Sequence, residues 1–420
     1  MDPVTITLVV FVIAIVMFVW EKIPLALTSI IMAMTLVLTG VITPAQGFGG
    51  FVNNNVIIFF GMFVVGGALF ETGAAAKIGG MVTRFAKSER QTIVILMITT
   101  GLVSGFLSST ATAAMFIPVV LGISASSGIA RSKLLLPMAY ATSMGSSLTL
   151  IATPPNLIAN SVLQEVGYSF GFFEFAIIGV PRLGFGILYF YFIGYKFLPN
   201  NTEKGDSIFD DEIVDYSHIP EWKRIASIVV LVVASAGMAL EGQIGIPMHV
   251  VSTICAISLV LMRVITEKQA YRSVDMSVIF LFAGTLALAA ALDTSGAAAV
   301  IANTVIGFLG ENPAPFAVMV TIIVIAGVLT QSMSNTAATA VLAPVALSIA
   351  INMNMDPRAV LMAVVTGSSI SYASPIATPP NTMIYGIGGY KFVDYIKNGI
   401  PVIIYVFIIT IIILPIFYQF

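Results

Sequence analysis

The chain has 420 residues, of which 58% are hydrophobic and only 9% are charged, with a formal net charge of −2 and a mean hydropathy of +1.02. Soluble domains carry about 25% charged residues, so this composition excludes a large soluble enzyme, and it is the opposite of a disordered composition. The small net charge gives no sign of a nucleic-acid partner, and the single cysteine, Cys255, excludes an intrachain disulfide. The composition predicts a polytopic membrane protein.

Apolar stretches follow one another along the whole chain. A spanning helix needs roughly 20 predominantly apolar residues. On that basis the candidate spans are residues 3–20, 23–43, 55–72, 134–163, 173–197, 225–240, 246–264, 277–293, 358–385 and 400–420. Residues 91–126 and 313–351 are each too long for one span and are interrupted by small polar residues. Each is expected to form either two full crossings or one re-entrant hairpin, and both options return the chain to its starting side.

Lysine and arginine orient the chain, because cytoplasmic loops carry an excess of them. Basic residues flank the stretch 91–126 on both sides, whereas the loop 165–174 has none. They recur in the polar segment 198–224, which is therefore expected to be a cytoplasmic linker, and the C-terminus is expected outside. Arg358 is an exception to this pattern.

Motifs of the first half recur in the second half at a nearly constant offset. Ser108-Ser109-Thr110 matches Ser334-Asn335-Thr336 at an offset of 226 (334 minus 108). Ala152-Thr153-Pro154-Pro155-Asn156 matches Ala377-Thr378-Pro379-Pro380-Asn381 at 225 (377 minus 152), and residues 69–76 match 292–299. Each half would contain five crossings plus one hairpin, an odd number, so the second half should lie upside down relative to the first.

The predicted fold class is therefore an all-α polytopic membrane protein. It consists of two inverted repeats, each with about five spans and one re-entrant helical hairpin, and has Pro-Pro-broken helices near the midplane. This is the plan of secondary transporters, in which the substrate site lies between the repeats.

The hairpin tips are the first candidate for chemistry. Non-helical backbone at membrane depth is tolerated only where it is buried in protein or lines a wet cavity. The tips Ser108-Ser109-Thr110 and Ser334-Asn335-Thr336 would place hydroxyl, amide and carbonyl oxygens there, which suit Na⁺. The helix N-termini after the tips suit an anion. The alternative is that small residues simply allow close helix packing, but duplication at matched positions favours a site.

The Pro-Pro motifs are the second candidate. Two consecutive prolines remove two N–H donors and should break the helix, leaving free carbonyls at Ala152 and Ala377. A simple kink is the alternative. The upstream segments 145–147 and 367–369, rich in glycine and serine, are interpreted as packing positions.

Ionisable residues are rare in the apolar stretches. Glu71 and Asp293 are the most interior carboxylates by sequence, and both are interpreted as helix-end groups rather than a proton relay. No basic residue is expected near either motif, so sodium ions, helix N-termini and hydroxyls would meet the charge of an anion. The chain has no Walker lysine and no convincing nucleophile and base pair, which disfavours an ATP-driven pump and an intramembrane enzyme.

The paired tips, each followed by Thr-Pro-Pro-Asn, resemble the divalent anion–sodium symporter family of the ion transporter superfamily over nearly the whole chain. The resemblance implies Na⁺-coupled symport of a small divalent anion by a homodimer, with an elevator-type mechanism. It implies a scaffold of residues 1–90 and 225–312 and a transport domain of residues 91–197 and 313–420. Charge-poor loops and the lack of a transit signal favour a bacterial inner membrane, with lipid as the surrounding partner.

The resemblance also implies the site residues. The first sodium site would use Ser104, Ser108, Ser109 and the carbonyl of Ala152. The second would use Thr330, the carbonyl of Met333, Asn335 and the carbonyl of Ala377. The anion would contact Ser109, Thr110, Asn335 and Thr336, with Thr153, Thr378 and Pro379 nearby.

One position departs from the family pattern, because Ser109 stands where the commoner motif has Asn. A hydroxyl has a shorter reach than an amide and leaves more space or a bridging water. A C4-dicarboxylate such as succinate or malate is the expected substrate, and sulfate or another oxyanion is the alternative. A Na⁺-independent anion exchanger, an arsenite permease and a sodium–proton antiporter of the same superfamily remain open at this point.

Overall fold

The computed structural model describes residues 2–20, 22–74, 77, 88–201, 216, 218–310 and 313–418. Within these ranges the chain forms helices and no strand, and seven helical segments are long and apolar enough to cross a membrane. These findings confirm the predicted all-α polytopic membrane fold. Most of the predicted linker, residues 202–215 and 217, lies outside the described residues, as do residues 75–76 and 78–87 near the predicted boundary at 90.

The helices divide between the two halves of the sequence. In the first half they are α1 Pro3–Trp20, α2 Leu25–Leu38, α3 Pro44–Gly49, α4 Asn54–Glu71, α5 Glu89–Ser104, α6 Ser109–Ser127, α7 Arg131–Gly145, α8 Pro154–Gln164 and α9 Ala176–Phe192. In the second half they are α10 Glu221–Ala239, α11 Glu241–Ile244, α12 Met248–Leu261, α13 Glu267–Ser273, α14 Met276–Ser295, α15 Ala297–Leu309, α16 Pro315–Leu329, α17 Asn335–Asn352, α18 Pro357–Ser368, α19 Pro379–Ile387 and α20 Phe392–Phe417. Short 3₁₀ turns lie at Gly50–Val52 and Gly194–Lys196.

The two long interrupted stretches each form a pair of helices joined by a short turn. The turn before α6 ends at Ser108, and the turn before α17 ends at Ser334. Each serine hydroxyl accepts a hydrogen bond from the backbone N–H three residues later, at Ala111 and Ala337, and both bonds are 3.2 Å long. Serine is a strong N-cap residue, so these two positions fix where the second helix of each pair begins.

The predicted helix breaks exist, but the prolines do not cause them in the expected way. Helix α7 ends at Gly145 and α18 ends at Ser368, well before the Pro-Pro motifs. Pro154 and Pro379 occupy the first position of the next helix, where a missing N–H leaves no bond unmade. The prolines therefore begin α8 and α19, and the unwound segments are residues 146–153 and 369–378.

Glycine allows the helices beside the unwound segments to meet backbone to backbone. A Cβ atom added to Gly145 would lie 2.0 Å from the carbonyl oxygen of Gly101 on α5, and one added to Gly367 would lie 2.8 Å from the carbonyl oxygen of Ile323 on α16. Neither neighbour can move without shifting a helix, because each contact is with backbone. For the two glycines the interpretation as packing positions agrees with these contacts, whereas Ser146 in the same stretch lines a cavity.

This close approach leads to a first prediction. Gly145→Ala should destabilise the protein by about 1–3 kcal/mol, because the new methyl group would overlap the α5 backbone. The matched control is Gly122→Ala on α6, where an added Cβ would have no neighbour within 4 Å. That control should be neutral or stabilise by up to about 1 kcal/mol through helix propensity. Thermal unfolding of the detergent-purified variants measures both effects, and equal unfolding midpoints for the two variants would contradict the packing assignment.

Candidate functional site

A cavity of about 810 Å³ lies where the helix tips and the unwound segments meet. Its lining comes from two groups of segments, called here the first wall (residues from the ranges 106–154 and 334–379) and the second wall (residues from 24–71 and 272–281). The polar residues of the first wall are Ser108, Ser109, Thr110, Ser143, Ser146, Thr153, Ser334, Asn335, Thr336 and Thr378. The second wall is largely apolar near α4, where Phe59, Met62 and Phe63 lie.

The structure brings the residues predicted to contact the anion to this one cavity. The lining includes Ser109, Thr110, Thr153, Asn335, Thr336, Thr378 and Pro379. Of the residues predicted to bind sodium, the lining includes Ser108, Ser109, Ala152, Asn335 and Ala377. The others, Ser104, Thr330 and Met333, are buried and are not part of the lining.

Two helix N-termini meet at the cavity. The backbone N–H groups of Ser109 and Thr110 in the first turn of α6 have no acceptor among the described residues, and the same holds for Asn335 and Thr336 at the start of α17. A helix N-terminus carries roughly half a positive charge, and its free N–H groups are donors suited to an anion. The two tips therefore form a donor-rich region without a formal positive charge.

The unwound segments contribute acceptors to the same cavity. The carbonyls of Ala152 and Ala377 receive no hydrogen bond from any described residue. The next residues, Thr153 and Thr378, are extended, with φ of −152° and −139°, and neither side chain caps the helix that follows. The hydroxyl of Thr378 is buried and has no hydrogen-bond partner in the described part of the chain. These oxygens are free to coordinate a cation or to bind a substrate.

Three oxygen atoms converge behind the second tip. The hydroxyl of Thr330 lies 2.6 Å from Asn335 Oδ1 and 2.5 Å from the carbonyl oxygen of Ser368. A hydroxyl has one proton, so it can donate to only one of two acceptors. The hydroxyl can satisfy only one of the two acceptors, so the other oxygen remains available to a cation.

The first tip has the same hydroxyl-to-carbonyl contact as the second tip but lacks a counterpart of the Asn335 contact. The hydroxyl of Ser104 donates to the carbonyl of Thr142 at 2.7 Å, which matches the Thr330–Ser368 contact at an offset of 226 (330 minus 104). Ser109 stands where the second tip has Asn335, and its side chain makes no bond to Ser104. The more open first tip expected from Ser109 stays a prediction.

Each unwound segment is held by an asparagine from the helix that follows it. The side-chain amide of Asn156 or Asn381 donates to two carbonyls of its own segment, located ten and seven residues earlier. These contacts are Asn156 to Ser146 (3.3 Å) and Thr149 (2.8 Å), and Asn381 to Ser371 (3.2 Å) and Ser374 (2.9 Å). The asparagine of the Thr-Pro-Pro-Asn motif is therefore a structural residue that satisfies backbone groups the helix no longer pairs.

The charged residues of the cavity lie at its exposed rim. Glu71, Arg272 and Asp275 are exposed and belong to the second wall. Glu71 is the last residue of α4, and its carboxylate accepts a 2.5 Å bond from the side chain of Gln269. Its interpretation as a helix-end group agrees with this position. Asp293 also lies near the end of its helix, α14.

Sequence reasoning missed Arg182, which contacts the unwound segments before both Pro-Pro motifs but is not part of the cavity lining. Arg182 on α9 is fully buried and donates to the hydroxyl of Ser147 at 2.9 Å and to the carbonyl of Ser369 at 2.7 Å. Both acceptors belong to the unwound segments. A lone arginine inside the apolar stretch 173–197 was the signal that could have found it, because intramembrane charges mark functional positions.

Comparison with known proteins identifies the family. The model of the citrate transporter family matches residues 15–350 and 246–419. The chain belongs to the citrate transporter family. This confirms the resemblance to anion symporters of the ion transporter superfamily. The protein is therefore an anion transporter with a multi-pass membrane fold and not an enzyme.

Individual relatives are distant but cover most of the chain. The sodium-dependent dicarboxylate transporter SdcS of Staphylococcus saprophyticus is 23% identical over 97% of this chain and 86% of its own length. A transporter of Haemophilus influenzae is 27% identical over 90% of this chain and 84% of its own. The transporter YfbS of Escherichia coli is 22% identical over 97% of this chain and 98% of its own length.

Two solved structures share the fold. The YdaH transporter of Alcanivorax borkumensis has a TM-score of 0.67 and 15% identity, covering 91% of this chain and 87% of its own. MtrF of Neisseria gonorrhoeae has a TM-score of 0.64 and 16% identity, covering 100% and 95%. At this level of identity the likeness concerns the fold alone.

The matched asparagines give a second prediction. Asn156→Ala and Asn381→Ala should each destabilise the protein by about 1–3 kcal/mol, because each leaves two buried carbonyls without a donor. The two losses should be similar, since the contacts are the same in both segments. Asn303→Ala, at an exposed position on α15, serves as the control and should change the unfolding midpoint little. Unequal effects of the first two variants, with one at the level of the control, would contradict the assigned role.

Proposed function

We propose that the protein is a Na⁺-coupled secondary active symporter of a small divalent anion, and that the anion is a C4-dicarboxylate such as succinate or malate. The observation that carries this proposal is the composition of one cavity. Two helix N-termini with free N–H groups meet two free carbonyls and the oxygens behind the tips. Donors for an anion and acceptors for cations therefore lie side by side.

The tips suit a substrate with two separated carboxylates. Each tip offers free N–H groups in its first turn together with a threonine side chain, Thr110 in one and Thr336 in the other. Charge-assisted bonds from backbone N–H groups to a carboxylate are stronger than bonds between neutral groups. One tip for each carboxylate would favour a dianion over a monocarboxylate.

Sodium would supply the charge that the cavity wall lacks. The polar lining of the first wall consists of hydroxyls, an amide and backbone groups, and it includes no carboxylate or basic side chain. A dianion placed there would be electrostatically unstable without cations close by. The oxygens of Thr330, Asn335 and Ser368 are suited to hold one. The sodium dependence named for the SdcS relative supports the same coupling in this chain.

The two walls of the cavity support an elevator-type movement. The lining of one wall comes only from the predicted transport domain, residues 91–197 and 313–420, and that of the other only from the predicted scaffold, residues 1–90 and 225–312. Sliding one wall past the other would carry the tips across the membrane. In this conformation the rim with Glu71 and Arg272 faces the side that the basic residues mark as cytoplasmic, so we infer an inward-facing state of a homodimer in a bacterial inner membrane.

At the other end of α4, polar contacts join the two predicted domains. The amide of Asn55 donates to the hydroxyl of Ser161 at 2.6 Å and to Gln164 at 3.0 Å, and its carbonyl oxygen accepts from Asn160 at 3.0 Å. These residues lie on α4 and α8, which belong to different predicted domains. An elevator movement requires all three bonds to break.

Uptake of labelled succinate into proteoliposomes tests the coupling. Uptake should require an inward Na⁺ gradient and should resist excess sulfate. Succinate uptake that does not depend on Na⁺ would indicate an anion exchanger instead of a symporter. Suppression of uptake by sulfate, or no succinate uptake at all, would assign the site to a tetrahedral oxyanion and make Ser109 the residue responsible.

Asn335→Ala is the third prediction, made in the same assay. It should lower succinate uptake by about tenfold or more, because it removes an oxygen that Thr330 contacts and a side chain that lines the cavity. The matched control is Asn303→Ala, since Asn303 is an exposed residue on α15 outside the cavity. Normal uptake by a normally expressed Asn335→Ala protein would remove Asn335 from the site.

A cross-link is the fourth prediction. With Cys255 replaced by Ala, a disulfide between Asn55→Cys and Ser161→Cys should stop uptake, and a reducing agent should restore it, because the bond would prevent the two walls from sliding. The control pair is Glu174→Cys with Tyr418→Cys, cross-linked by a short bifunctional reagent. Those residues form a 2.6 Å hydrogen bond within the predicted transport domain. Uptake that continues with the first pair fully cross-linked would contradict the elevator movement.

A further inference from the structure

Arg182 is a buried charge with no acidic partner. Among the described residues it is the only Asp, Glu, Lys, Arg or His side chain that is fully buried, and the ion pairs found in that part of the chain do not include it. Removing a cation from water is costly unless hydrogen bonds and opposite charge compensate it. The compensation of Arg182 must therefore come from its neutral neighbours.

These neighbours belong to both unwound segments at once. Nη1 donates to the hydroxyl of Ser147 at 2.9 Å in the first segment. In the second segment Nη2 donates to the carbonyl of Ser369 at 2.7 Å, and Nε donates to the hydroxyl of Tyr372 at 2.8 Å, which Nη2 also contacts. One guanidinium thus bridges the segment that carries Ala152 and the segment that carries Ala377.

Two helix C-termini explain how the charge is tolerated. Helix α7 ends at Gly145, just before Ser147, and α18 ends at Ser368, with Ser369 as its C-cap residue. The C-terminus of a helix carries roughly half a negative charge. Two such ends together balance one guanidinium. The arginine in turn stabilises both helix ends at the points where their chains unwind.

The internal repeat shows that packing does not require this arginine. Gly179-Val180-Pro181-Arg182 on α9 matches Gly399-Ile400-Pro401-Val402 on α20 at an offset of 220 (399 minus 179). The two glycines make equivalent contacts, since an added Cβ would lie 2.0 Å from the carbonyl oxygen of Ser147 at Gly179 and 2.3 Å from that of Tyr372 at Gly399. Val402 is fully buried in the place that corresponds to Arg182. The fold therefore accepts an apolar residue there in one repeat and has a cation in the other.

We propose that Arg182 is a positioning residue that fixes the two unwound segments relative to each other and thereby makes the two sodium sites cooperative. This inference rests on the proposed Na⁺-coupled function. Ala152 lies five residues after Ser147, and Ala377 lies eight residues after Ser369, so a shift at either contact moves a carbonyl that would bind sodium. Sodium binding at one site fixes the position of the unwound segment at that site. Through the contacts of Arg182, the other segment is then held in position as well.

The geometry of the guanidinium is essential to this role. Arginine presents its donors in a rigid planar fork, whereas the ammonium of lysine is a compact charge on a flexible stem. Lysine in this place would keep the charge but could not hold Ser147, Ser369 and Tyr372 together. Arg182→Lys therefore separates a bridging role from a purely electrostatic one.

The fifth prediction concerns two measurements. One is the sodium dependence of succinate uptake, and the other is the protection that Na⁺ gives against thermal unfolding when succinate is absent. In Arg182→Lys the half-saturating Na⁺ concentration should rise roughly tenfold, as expected for the loss of coupling between sites, and the Hill coefficient should fall to about one. Ser147→Ala removes one contact of the bridge, and Tyr372→Phe removes the contacts of Nε and Nη2 to one hydroxyl. Each should give smaller changes of the same kind. Arg358→Lys is the control, because Arg358 pairs with Asp356 at 2.7 Å and lies against the rings of Tyr168 and Tyr418, which are not part of the unwound segments.

The outcomes separate this inference from the proposed function. If uptake by the unaltered protein does not depend on Na⁺, the proposed function fails and the inference falls with it. If uptake depends on Na⁺ and Arg182→Lys, Ser147→Ala and Tyr372→Phe keep the Hill coefficient of the unaltered protein, the inference alone is overturned. Should Arg182→Lys fail to fold, Ser147→Ala and Tyr372→Phe decide the question, because each removes only a hydroxyl.

Discussion

The backbone of the two unwound segments must find hydrogen-bond partners in an apolar surrounding, and the rest of the site depends on how it does so. A peptide group outside a helix at membrane depth has no water molecule with which to form a hydrogen bond. Here Asn156 and Asn381 supply donors from the helices that follow, and Arg182 supplies them from a third helix. With these partners in place, the carbonyls of Ala152 and Ala377 are left free at the cavity, where an ion could use them.

Duplication gives the site two similar halves, and the differences between the halves are informative. The capping serines, the unwound segments and the asparagine contacts recur in both repeats with the same geometry. Ser109 opposite Asn335, and Arg182 opposite Val402, break this symmetry. A symmetric frame would hold two equivalent cations, whereas a defined order of binding needs unequal halves. The two departures lie at the tip and at the bridge, which are the places where such inequality would act.

Much of this arrangement could be predicted from the sequence because it depends on local chemistry. The tips were predictable, since Ser108 and Ser334 are N-cap residues before apolar helices and occur at matched positions. The positions of the helix breaks were predictable from the sequence, but the cause of the breaks was not. The sequence shows the prolines, whereas the helix ends are set by glycine and serine residues that meet neighbouring helices across the fold. Arg182 was overlooked because its partners, Ser147, Ser369 and Tyr372, are far from it in the chain.

The sequence by itself determined the membrane class, the positions of the helices and the repeated motifs, because apolar length, helix caps and proline act over a few residues. Only the tertiary structure decided which oxygens stay free, which carbonyls are bound by Asn156 and Asn381, and where one buried guanidinium finds its acceptors. Those features depend on contacts between residues that can be nearly two hundred positions apart. No local pattern encodes such contacts, because they exist only once the helices have packed together.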